Sequence, residues 1–163
     1  MRAAILAACL TLTAAPALAL SCLPADIARD YQRAEEDDAA WIVVTGKLTF
    51  DEARLPEVDM DRQQETPPET DIPARIAGGS LGPEGFTRTF TRDITLRVLC
   101  FGPWCGSAQS GGDVLAFLKQ EGADFVAMAS PCPGMLYPDP TPEMLETVTR
   151  CFNGGRCTPK IGR

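Results

Sequence analysis

Trp41-Ile42-Val43-Val44-Thr45-Gly46-Lys47-Leu48-Thr49-Phe50 is the stretch that decides the fold class. Ile42, Val44, Leu48 and Phe50 fall on one side of a period-two pattern, with Thr45 and Lys47 on the other, as in a half-buried strand. Gly46 interrupts the apolar row. A glycine inside a strand marks a bulge or a tight bend, and a small closed barrel needs such a point to coil a strand around its corner.

Downstream, residues 51 to 85 are rich in Pro, Glu, Asp and Gly, and Pro56, Pro67, Pro68, Pro73 and Pro83 break regular structure. The composition predicts a long irregular connection, with Ala74-Arg75-Ile76 as a short edge strand inside it. Alternation returns from Phe86 to Cys100. Phe86, Phe90, Ile94, Leu96, Val98 and Cys100 share one face and Thr87, Thr89, Thr95 and Arg97 the other, which predicts a long strand bent near Arg92-Asp93. Asp113 to Leu118 and Ala123 to Ala129, separated by Glu121-Gly122, read as two further strands joined by a turn.

Helical spacing occurs at both ends of this β region. Ile27, Tyr31 and Ala34 recur at helical intervals, with Asp26, Arg29, Asp30 and Arg33 facing away, which predicts a helix over about residues 24 to 34. Thr141-Pro142-Glu143 opens a second helix with a capping threonine and a proline at its first position. Its buried stripe is Met144, Leu145, Val148, Cys151 and Phe152, and Asn153-Gly154-Gly155 ends it. Because the helices do not alternate with the strands, the order indicates a mainly β domain built on a small barrel rather than a parallel sheet.

Ahead of all this, Met1-Arg2 and the apolar run Ala3 to Ala15 lead to Pro16 and Ala17-Leu18-Ala19. This is the layout of a cleavable signal peptide over residues 1 to 19, too short for a spanning helix of about 20 residues. Residues 20 to 163 then form one domain outside the cytoplasm, periplasmic or secreted, with no integral membrane segment after cleavage. Without Arg2 the balance is 14 basic against 22 acidic residues, a net charge of −8, which disfavours nucleic acid and anionic lipid as partners.

Cys9 leaves with the signal, so Cys22, Cys100, Cys105, Cys132, Cys151 and Cys157 remain. An even set in an exported chain predicts disulfides, and Cys151 with Cys157 fits a local bridge over the helix-ending glycines. With no histidine and no Cys-x-x-Cys pair, neither a metal site nor a cofactor is expected.

Ser21-Cys22, the strand Val43-Val44-Thr45-Gly46-Lys47, Cys105-Gly106, Gly112-Asp113-Val114-Leu115-Ala116-Phe117-Leu118 and Ser130-Pro131-Cys132 together resemble the netrin-like module. This is the domain of tissue inhibitors of metalloproteinases and of their bacterial relatives. The resemblance implies a five-stranded OB-type β-barrel flanked by the two helices. It also implies that Cys22 is bonded either to Cys105, the cysteine preceding the glycine, or to Cys132, the one ending the last strand. In the inhibitors the mature chain begins with cysteine, whose amine and carbonyl bind the target's catalytic zinc. Cleavage after Ala19 instead leaves Leu20-Ser21 ahead of Cys22, and Cys100 and Cys157 are additional to the family pattern.

Three functions follow from these readings. The first is an exported interaction module without catalytic chemistry, which binds or inhibits another extracytoplasmic protein. Absence of histidine and of a Gly-x-Ser-x-Gly elbow or phosphate-binding glycine loop favours it over an enzyme. The resemblance places the partner contact at Cys22 and Leu23 and at the long connection, where Glu57, Asp59, Asp61, Glu65 and Glu69 contribute to an acidic excess that suits a basic surface. The second is a metalloproteinase inhibitor proper. The third is a thiol–disulfide oxidoreductase using Cys105, because Pro103-Trp104-Cys105-Gly106-Ser107 is similar to a thioredoxin active site, although Ala108 stands where the second cysteine belongs. Trp41, Phe101 and Trp104 are candidates for an aromatic patch.

Overall fold

Gly46 and its partner strand explain how the sheet closes. The computed structural model describes residues 20–160, so the signal-peptide reading of residues 1 to 19 lies outside the described residues. In chain order the elements are α1 (Ile27–Glu36), β1 (Trp41–Phe50), β2 (Glu69–Gly82), β3 (Gly85–Phe101), β4 (Trp104–Cys105), β5 (Asp113–Glu121), β6 (Asp124–Ala129), β7 (Leu136–Pro138) and α2 (Pro142–Phe152), with two short 3₁₀ turns between β1 and β2. The sheet runs β1-β2-β3-β6-β5, and β1 also pairs with β5, so five strands form a closed ring. All its pairs are antiparallel except β3 with β6.

The register shows how steeply the strands run. Trp41 pairs with Lys119, Lys119 with Val126 and Val126 with Thr95. The neighbouring Ile94 pairs with Ala74, and Ala74 with Phe50. One circuit thus returns to β1 ten residues along: nine from Trp41 to Phe50, plus the step from Thr95 to Ile94. Ten residues advance ~33 Å, whereas five strands span ~24 Å around the ring, so the strands tilt beyond ~45°. Such coiling forces backbones together at Gly46, which lies opposite Gly78. A Cβ on Gly46 would stand 2.4 Å from the Ala77 carbonyl oxygen, and one on Gly78 2.0 Å from that of Thr45. Register continues unbroken through Gly46, so its role is close approach rather than a bulge; the irregularity lies at Ser80/Gly82.

Two apolar clusters use the two faces of the ring. Val44, Leu48, Ile72, Ile76, Phe90, Ile94, Leu96, Val98, Val114, Ala116 and Leu118 fill the interior, with Ile42 and Phe50 packed against them as the alternation predicts. Val43, Leu115, Phe117 and Tyr137 face outward and are covered by Ala34 of α1 and Val148 of α2. Val114 to Leu118 is therefore buried on both faces, which is why it reads as an uninterrupted apolar run.

Several sequence expectations are corrected. The irregular connection ends at residue 68 rather than 85, because residues 69 to 82 form β2, a strand paired on both sides rather than a short edge piece. Pro73 is tolerated there because β2 meets β3 through even-numbered residues, as the bond from Cys100 N–H to the Pro68 carbonyl shows. Its missing N–H therefore turns to the side where β1 has already ended, at the Phe50–Ala74 pair. Helix α1 starts at Ile27, capped by Asp26, whose carboxylate accepts from Arg29 N–H at 2.9 Å and from Lys160 N–H at 2.6 Å.

Asp30 does not face away. It is buried and accepts from Met135 N–H at 3.1 Å and from the Tyr137 hydroxyl. Burial, then the bond to Asp30, holds the Tyr137 phenol well above its ordinary range. Gly134 makes room for this arrangement: a Cβ there would stand 2.7 Å from Asp30 Oδ2. In α2, Val148 and Cys151 are buried, but Phe152 at the end of the stripe is exposed.

Candidate partner-binding end of the strand ring

The end of the ring at which β1, β3 and β6 finish gathers the sequence candidates. After Leu99 the chain turns through Phe101-Gly102-Pro103-Trp104 and returns as β4, with Cys100 opposite Cys105 and Phe101 opposite Trp104. Gly102 takes a φ of +63°, which suits a tight hairpin turn. Cys100 and Cys105 are disulfide-bonded across the hairpin, and Gly106 N–H then donates to Leu99 O. Gly106 is pressed on the end of β6, where a Cβ would sit 2.2 Å from the Ala129 carbonyl oxygen. Three residues beyond Ala129, Cys132 is bonded to Cys22, which resolves the two pairings open at the sequence level in favour of Cys132. The third bridge is Cys151–Cys157, as expected.

The acidic connection leaves and re-enters at this same end. Glu52 accepts from Ser110 N–H at 2.6 Å, and Ser110 Oγ accepts from Phe50 N–H at 2.9 Å, which docks the start of the connection on the loop ahead of β5. Further along, Arg62 is held by Asp59 at 2.8 Å and by Glu65 at 3.2 Å. Glu57 and Asp61 are exposed and have no ion-pair partner among the described residues. The connection itself, residues 51 to 68, carries six acids against Arg54 and Arg62. Glu69 is not part of it: it is the exposed first residue of β2, opposite Leu99.

Exposed apolar side chains concentrate here. Leu23 is 63% exposed, Met60 65%, Phe101 45% and Trp104 37%; among the described residues the one other large hydrophobic so exposed is Phe152 on α2. Between the loop ahead of β5 and the Cys132 turn lies a cleft of about 400 Å³, lined by Ala108, Val114, Cys132, Pro133 and Leu136. Leu23 flanks the Cys22–Cys132 bridge, so the N-terminal candidates adjoin this cleft.

Other candidates separate. Trp41 begins β1 at the opposite end, where Lys119 lies over its ring at 5.6 Å, so it forms no patch with Phe101 and Trp104. Arg97 is not free on an exposed face: its guanidinium meets both oxygens of Asp71, at 2.8 and 2.9 Å, and reaches Glu121 at 3.1 Å. These bonds hold the Asp71 carboxyl below its ordinary value. Cys105 lies in a two-residue strand bonded to Cys100, and the next element is the strand β5 rather than a helix. Among the described residues no three His, Cys, Asp or Glu side chains are grouped to hold a metal.

Two elements of this end escaped the sequence reading. Met60 gave no signal, being one apolar residue in an irregular polar stretch. The hairpin was signalled by Gly102-Pro103 between two cysteines, a turn dipeptide flanked by residues able to staple it. No family model matches the chain, and no curated protein or solved structure matches it either.

Proposed function

We propose that the chain is an exported interaction module without catalytic chemistry, which grips another extracytoplasmic protein with the end of the ring that carries the hairpin, the Cys22–Cys132 bridge and the acidic connection. The observation that carries this reading is the concentration of Leu23, Met60, Phe101 and Trp104 on segments leaving one end of the ring, framed by uncompensated carboxylates. Apolar side chains kept in solvent and held by disulfides contribute affinity when covered, and the surrounding charge speeds encounter with a basic partner. Three disulfides favour an oxidising compartment, and no described helix is long and apolar enough to cross a membrane.

Within the same reading the ring is an OB-type barrel of the netrin-like class. Its five strands, steep stagger and single parallel pair among antiparallel ones support this assignment. The inhibitor reading gains if N-terminal sequencing of the exported protein finds Cys22 first, and the bond between Cys100 and Cys105 weighs against the redox reading. The test immobilises residues 20 to 163 and captures partners from an extracytoplasmic extract. Phe101→Asp/Trp104→Asp and a short Gly/Ser linker in place of residues 56 to 68 should both reduce capture, the second less so at high salt. Undiminished capture by both folded variants refutes the proposal.

A further inference from the structure

The ring leaves part of β3 without a neighbour on one side. β3 is paired with β2 along most of its length, but with β6 only from Thr95 to Val98. Upstream of that, Thr87 to Asp93 is exposed except for Phe90. Because β3 meets β2 through its even-numbered residues, Thr89 and Thr91 turn their N–H and C=O groups to the open side. A strand edge of this kind is a template for another extended chain.

The inner face of the same segment defines what such a chain carries. Arg88, Phe90 and Arg92 share that face, since alternate residues point the same way. Phe90 reaches the ring interior and meets Phe125 edge to face at 5.6 Å, while Arg92 lies over Phe125 at 5.9 Å. Arg88 and Phe90 line a cleft of about 370 Å³ with Trp41, Ile42 and Leu81. Neither Arg88 nor Arg92 has a carboxylate partner among the described residues, although the protein is strongly acidic. Self-pairing centred on Phe90 would set Arg88 against Arg92 of a second copy, like charges directly opposed.

We propose that β3 between Thr87 and Asp93 accepts an extended peptide from a partner by strand addition, and that the peptide carries acidic, apolar and acidic side chains at positions i, i+2 and i+4. The acidic residues meet Arg88 and Arg92, the apolar residue covers Phe90, and the backbone bonds to Thr89 and Thr91. This surface is separate from the end of the ring with the exposed aromatics, so it stands or falls independently of the proposal above.

The test uses the disulfide-intact chain and the fluorescein-labelled peptide Thr-Glu-Thr-Val-Thr-Glu-Thr, followed by polarisation. A peptide with Lys in place of Glu should bind at least ten-fold more weakly. Thr89→Pro, which removes an outward N–H and no bond to β2, should weaken binding by a similar factor with circular dichroism unchanged. Arg88→Glu/Arg92→Glu should reverse the preference between the two peptides. Absence of binding at millimolar peptide overturns the proposal, as does binding that Thr89→Pro leaves intact. A dimer in sedimentation that Thr89→Pro dissolves would instead identify a second copy as the occupant and overturn the peptide assignment.

Discussion

Replacing Cys22 and Cys132 together by alanine should cost far more stability than removing either of the other bridges. The two cysteines are 110 residues apart, against 5 for Cys100–Cys105 and 6 for Cys151–Cys157. In the chain-entropy description a cross-link restricts the unfolded ensemble by an amount that grows with the logarithm of the loop it closes. That gives about 4.8 kcal/mol for the long loop and about 2 kcal/mol for each short one. Over the 144 residues that follow Ala19 (163 − 19), unfolding entropy is ~0.3 kcal/mol/K, so the long-loop loss corresponds to about 16 °C in Tm.

The folded state limits how much of this is recovered by relaxation. Residues 20 to 25 precede α1 and are free to fray once unlinked, but α1 remains tied by Asp30 to Met135 and Tyr137 and by Asp26 to Lys160. Urea unfolding of the double variant and of Cys151→Ala/Cys157→Ala, monitored by circular dichroism, checks the ordering. The m-value should also rise for the first variant, since its unfolded chain expands more. A loss below about 2 kcal/mol, or one equal to that of the short-loop variant, refutes the reasoning.

Asp30→Ala should cost about 3 kcal/mol, because it leaves the Met135 N–H and the Tyr137 hydroxyl without their buried acceptor; Tm and urea midpoints measure it. Gly78→Ala should cost more than ~3 kcal/mol, since the new methyl meets the Thr45 carbonyl and the Gly46 Cα, whereas Gly111→Ala, with open space around it but a φ of +79°, should cost about 1 kcal/mol. The raised Tyr137 pKa means that the folded protein keeps this proton longer than the unfolded chain. Its contribution is complete below about pH 10 and is lost as pH rises beyond, so Tyr137→Phe should flatten the alkaline limb of a stability–pH profile. Asp71 has the opposite sign: its lowered pKa stabilises above about pH 4, and this fades as pH falls. Arg97→Gln should therefore remove part of the acid dependence, worth less than ~1 kcal/mol because the pair is partly exposed.

Local pattern was sufficient where each residue's environment repeats along one element. Alternation around Gly46 and from Phe90 to Cys100 marks the strands because one face of each meets the interior, and Thr141-Pro142 marks the start of α2 because a cap is a local hydrogen bond. Composition misled in residues 69 to 82, where Pro73, Gly78 and Gly79 look like breakers. Their tolerance depends on the partner strands: β1 ends before Pro73, and Gly78 faces Gly46. Asp30 misled for a related reason, since an acid on a helix is normally solvated unless donors from a remote turn reach it, and here those donors are more than a hundred residues away. By itself the sequence determined a mainly β chain with a helix at each end and cysteines suited to bridges, because these depend on neighbours a few positions apart. The register with which the ring closes, the choice of Cys132 for Cys22, the meeting of Leu23, Met60, Phe101 and Trp104 at one end and the open edge of β3 were decided only by tertiary structure. Each depends on strand register accumulated around the whole ring, and register is a property of pairs of strands rather than of any one.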